Sequence, residues 1–85
     1  MIRKIKEWFI YQRLCRIARA SEYDGFHQRY IIDLRDGYMF YFPVTGKITT
    51  TRKGIVFKKK EGKLQCWYSL SELKKLVNAV LDGWV

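Results

Sequence analysis

The sequence predicts an α+β fold: an N-terminal helix, a four-stranded, mainly antiparallel sheet made of two hairpins, and a C-terminal amphipathic helix packed on the sheet. Three observations carry that prediction. Residues 2–20 hold no Gly or Pro, and strong helix formers fill most of their positions. Two turn-type dipeptides, Asp36-Gly37 and Glu61-Gly62, divide runs of strand-forming residues between 28 and 68. Ser69 stands three residues before Glu72 at the head of a helical apolar stripe. Strands grouped between two helices favour antiparallel pairing.

The first helix, 2–20, carries its apolar residues on several sides. Trp8, Tyr11, Cys15 and Ala18 form one stripe, and Ile10, Leu14 and Ile17 a second. Ile2, Ile5 and Phe9 lie apart. Only part of such a helix can face one core, so its first turns are expected to seek another surface. Ser21 to Gly25 ends it. The first hairpin, 29–34 and 38–42, places Tyr30, Ile32, Leu34, Met39 and Tyr41 on one face. Ile31, Asp33, Tyr38, Phe40 and Phe42 take the other. Both faces are largely apolar, which puts the hairpin inside the sheet. The second hairpin runs over 47–59 and 63–68, with Gly54 as a bulge or a break. In the last helix, 70–82, Leu70, Leu73, Leu76, Val77, Val80, Leu81 and Trp84 form the stripe. Gly83 is placed to cap its end. With 85 residues and one Pro, nothing divides the chain, and residues 1–85 form a single small basic domain.

Lys and Arg number 17 against 8 Asp and Glu, a formal charge of +9. Charge speaks of partners more than of fold. It is concentrated in two blocks: residues 1–20 carry +5 and residues 46–66 carry +6. Aromatic residues reach 16%, more than so small a core can hold, so some are expected on the surface. The two cysteines, Cys15 and Cys66, are too few for a disulfide framework and are expected to be unbonded, with Cys66 buried opposite Phe57. No stretch approaches the ~18 apolar residues of a membrane span. Behind Met1-Ile2-Arg3-Lys4 the apolar run Trp8–Tyr11 is too short for a secretory leader, so the expected location is the cytoplasm.

Nothing in the chain spells out catalysis. His27 is the single histidine and has no second ligand for a zinc site. Asp36 and Asp24 are explained by their turns, and Asp33 by Arg35 nearby. No glycine-rich phosphate loop joins a strand to a helix. A non-enzymatic protein without cofactor or metal is expected.

Counting back from Glu61-Gly62 pairs Lys60 with Lys63, Lys59 with Leu64, Lys58 with Gln65, Phe57 with Cys66 and Val56 with Trp67. One face then holds Ile55, Phe57, Leu64, Cys66 and Tyr68. The other holds Val56, Lys58, Lys60, Lys63, Gln65 and Trp67. Lysines suit phosphates and a flat aromatic suits bases. The expected partner is therefore nucleic acid, DNA or RNA, met by Arg52, Lys53, Lys58, Lys60, Lys63 and Trp67, with Arg13 and Arg16 of the first helix as a second element. A phage or mobile-element factor acting on host machinery would have this size and charge. Two other classes fit the composition. One is an inhibitor or adaptor that meets an acidic protein through its exposed aromatics. The other is a membrane-surface protein held by residues 1–11, with Trp8 at the interface.

Two short stretches resemble known nucleic-acid binders. Thr45-Gly46-Lys47 with Arg52-Lys53-Gly54-Ile55 resembles the strand before the helix in the positive-cofactor-four family of single-stranded DNA-binding coactivators. There the helix follows almost at once, whereas here residues 58–68 intervene. Strands followed by Ser-Leu-Ser-Glu-Leu are similar to the arm-binding domains of phage integrases, which contact DNA with a small sheet. Each resemblance covers under half of the chain and implies a sheet used for DNA contact.

Overall fold

The computed structural model describes residues 2–84, and for Trp84 only its backbone. Its order is α1 (Ile2–Arg19), β1 (Glu22–Asp24), β2 (Arg29–Leu34), β3 (Gly37–Phe42), β4 (Lys47–Thr50), β5 (Gly54–Lys60), β6 (Lys63–Cys66) and α2 (Leu70–Trp84). The strands form one antiparallel sheet in sequence order, β1 to β6. The expected four-stranded sheet is thus corrected to six strands. Glu22–Asp24, in the sequence a stretch that only ends the first helix, pairs along β2, Tyr23 opposite Tyr30. The stretch 47–59, expected as one arm of the second hairpin with Gly54 as a bulge or a break, is two strands. It turns back at Thr51–Lys53, where the Thr50 hydroxyl accepts the Lys53 N–H at 3.0 Å, and β5 starts at Gly54.

The first hairpin also turns one residue early. Arg35 and Asp36 form its tip, and Leu34 pairs with Gly37. The register therefore differs by two residues from a turn at Asp36-Gly37. A shift of two leaves every side chain on its face, so Tyr30, Ile32, Leu34, Met39 and Tyr41 still share one side. At Gly37 φ is +148°, and a Cβ would strike the Thr51 hydroxyl that accepts the Tyr38 N–H.

Both helices cover that one face. Their core joins Tyr11, Leu14, Cys15 and Ala18 of α1 with Ile32, Met39, Tyr41, Ile48 and Phe57 of the sheet, and with Leu73, Val77 and Val80 of α2. The Tyr11 hydroxyl donates to the Gly46 carbonyl at 2.8 Å, and its ring meets Phe57 edge-on. Burial pushes its phenol pKa up. Arg19 bonds the Tyr41 hydroxyl at 3.0 Å. The outer turns of α1 leave Ile2, Ile5 and Phe9 exposed, as its divided apolar pattern implies.

At the head of α2 the Ser69 hydroxyl accepts the Glu72 N–H at 3.3 Å. Its far end departs from expectation. Gly83 does not terminate the helix but lies within it, against the backbone of β2, where a Cβ would collide with the Asp33 carbonyl. The Trp84 side chain, assigned to the stripe, lies outside the described residues.

Candidate nucleic-acid interface

The Glu61-Gly62 turn has φ of +53° and +76°, the two positive values of a tight hairpin turn. It fixes the pairing Lys60–Lys63, Lys59–Leu64, Lys58–Gln65 and Phe57–Cys66, as counting from the turn requires. Lys58, Lys60 and Lys63 are exposed on the face away from the helices. Lys59 points the other way, and its ammonium sits 5.2 Å from the centre of the Trp8 ring. Trp67 is 55% exposed.

Nearer the start of β5 the faces are exchanged. Ile48 pairs with Phe57 and Thr49 with Ile55, so Val56 is an extra residue in a bulge. Val56 is 1% exposed and Ile55 41% exposed. This reverses the alternation counted from Glu61-Gly62, which puts Ile55 in the core and Val56 outside it. Alternation counted from one turn holds only until a bulge resets it.

The remaining expected contacts are dispersed. Arg52 and Lys53 lie in the turn between β4 and β5 beside a cleft of about 200 Å³ against α2. Arg52 reaches Asp36 at 3.1 Å, and Lys53 reaches Glu72 at 3.2 Å. Lys53 holds the Glu72 carboxyl below its usual pKa. These pairs are exposed and therefore weak, so either cation can exchange its partner for a phosphate. Arg13 and Arg16 are exposed on α1, with the sheet between them and the hairpin lysines. One flat strand of nucleic acid cannot lie on both sets.

What the pattern alone did not reveal is the rest of the uncovered sheet face. Pairing places Arg29, Ile31, Tyr38, Phe40, Phe42, Lys47 and Thr49 there, beside Lys58 and Gln65. Tyr38 and Phe40 lie nearly parallel, 6.1 Å between ring centres. The Arg29 guanidinium lies 4.1 Å over Phe40, and the Lys47 ammonium 4.8 Å over Phe42. This face is polarised. Its acids, Glu22, Asp24 and Asp33, sit on β1 and β2, while Lys47, Lys58, Lys60 and Lys63 occupy β4 to β6. Asp24 is engaged by His27 at 2.7 Å, which holds its carboxyl below the usual range, and by Arg29 at 3.4 Å.

Among the described residues, no three His, Cys, Asp or Glu side chains are grouped to hold a metal ion. Both cysteines are free thiols; Cys15 is buried and Cys66 half-buried opposite Phe57, and burial pushes both pKa values up. No described helix is long and apolar enough to cross a membrane. Comparison with protein-family models, curated proteins and solved structures returns no match.

Proposed function

We propose that this protein binds single-stranded nucleic acid across the uncovered face of its sheet and performs no catalysis. The observation that carries the reading is the juxtaposition, on that face, of the parallel Tyr38 and Phe40 rings with a row of lysines that have no carboxylate partner among the described residues. Bases stack on flat side chains and on guanidinium planes, while the backbone follows the cations. An open sheet offers both at once. The acids on β1 and β2 repel phosphate, so the strand runs over β3 to β6. Tyr38 on that face, and Trp67 just beyond the end of β6, are the exposed stacking surfaces. Arg29, lying over Phe40, presents its own plane.

Fluorescence anisotropy with labelled oligo-dT and with a duplex of random sequence, over a range of salt, tests this. Replacing Lys58, Lys60 and Lys63 together by Gln should flatten the plot of log affinity against log salt by about two units on single strands. Tyr38→Ala or Trp67→Ala should cost about 1–3 kcal/mol and leave the slope unchanged. All these side chains are exposed, so circular dichroism should match the parent. Equal binding by the triple lysine variant at every salt concentration would remove the hairpin from the site. Failure of the parent to bind any oligonucleotide at low salt would end the proposal.

A further inference from the structure

The helical layer carries a second surface, unrelated to the sheet face. Successive helix positions are rotated by ~100°, and this places Ile2, Ile5 and Phe9 in the same outward sector as Lys6, Arg13 and Arg16. The three apolar residues are 72%, 56% and 67% exposed. They project from the helix and do not line its buried side. Phe9 also edges an open groove of about 460 Å³ between α1 and α2, floored by Ile10, Leu70 and Val77 and rimmed by Lys6, Arg13 and Lys74. No carboxylate lines this groove, and Glu7 is held by Arg3 at 2.8 Å.

We propose that this layer docks on an anionic lipid surface, with Ile5 and Phe9 inserted at the headgroup boundary and Lys6, Arg13 and Arg16 set against the headgroups. The charge decides the occupant. A second copy of the chain would bring these cations against their own kind. Side chains that protrude from a convex helix insert readily into a deformable acceptor, and an anionic bilayer supplies one with the complementary sign. Trp8, the residue expected at such an interface, is not the anchor. It turns toward Tyr11 and Lys59, on the sheet side of the helix. The inference does not rest on nucleic-acid binding, because the two surfaces lie on opposite sides of the sheet.

Cosedimentation with vesicles of phosphatidylcholine alone, and of equal parts phosphatidylcholine and phosphatidylglycerol, at about 0.15 M salt tests it. The parent should bind the anionic vesicles at least about tenfold more tightly than the neutral ones. The double variant Ile5→Ser, Phe9→Ser should lose about tenfold of that affinity, with unchanged circular dichroism and oligonucleotide binding. Arg13→Gln with Arg16→Gln should weaken vesicle binding and reduce its salt dependence. Gln at 58, 60 and 63 should leave vesicle binding near that of the parent. The proposal is overturned if the parent does not prefer anionic vesicles, which leaves the stripe to an acidic protein surface. It is equally overturned if Ile5→Ser, Phe9→Ser binds them like the parent while the triple lysine variant loses binding.

Discussion

Glu61 and Gln28 are the two described residues other than glycine with positive φ, and Glu61 is the one set in a charged hairpin turn. It holds φ of +53° at the first position of the β5–β6 turn, where an L side chain other than Asn or Asp is strained. Gly62 beside it meets the same demand without a Cβ. The turn also brings Lys60 and Lys63 opposite each other, and like charges so placed oppose pairing. Glu61→Asn should therefore raise stability by up to about 1 kcal/mol, since Asn-Gly is the favoured pair for this geometry. Urea denaturation would register it as a higher midpoint with an unchanged slope. A lower midpoint would mean that the Glu61 carboxylate screens the neighbouring lysines by more than its backbone costs. Lys59 shows how one position escapes its pattern. It falls on the core side of the hairpin, yet no buried charge results, because the ammonium ends over Trp8.

Among the elements, α2 offers the sharpest contrast between propensity and packing. Gly83 lies inside the helix, where Ala is intrinsically better by about 1 kcal/mol. Its missing Cβ, however, is what lets α2 approach the Asp33–Leu34 backbone. Gly83→Ala should destabilise the protein by about 1–3 kcal/mol, as overpacking does, and thermal unfolding would show the sign. An increase in melting temperature would place the helix end farther from β2. The same contrast explains which elements the sequence displayed. Ser69 with Glu72, the apolar stripe of α2 and the Glu61-Gly62 turn are local signals, and each located its element. β1 sends none: its three residues pair through the backbone and lie largely exposed at the sheet edge. Gly54 signals an interruption between β4 and β5, but Thr51–Lys53 before it suit a strand or a loop, so the full reversal into a separate strand is not evident in them. The bulge at Val56 depends on the register with β4, a neighbour that was itself unassigned. The basic side of the last hairpin was legible because a single turn fixes its parity. Tyr38 and Arg29 are not, because both faces of 29–42 are apolar and only the placement of the helices decides which face stays open; Lys47 joins them through its pairing with Phe42.

Considered whole, the molecule is a two-layer sandwich with a basic region on each outer surface and a different chemistry on each. Flat rings and lysines lie on the sheet side, and projecting aliphatic and aromatic side chains on the helical side. Both proposed surfaces can therefore be occupied together. Labelled oligo-dT should cosediment with anionic vesicles only when the protein is present. That bridging should be lost in either the Ile5→Ser, Phe9→Ser variant or the triple lysine variant. If oligonucleotide and vesicles instead displace one another, the two ligands share one surface. The Tyr11 to Gly46 hydrogen bond has a further consequence, in the order of synthesis. The helix is made first, but the carbonyl it anchors on lies 35 residues later in the chain. At ribosomal rates of roughly 5–20 residues per second, that interval is on the order of 2–7 s. During it Tyr11, Leu14 and Cys15 have no sheet to cover them, and an isolated helix of this length is only marginally stable in water. The nascent chain thus carries an uncovered apolar helix face until the fourth strand emerges, so the packing of α1 is a late event in the making of this fold.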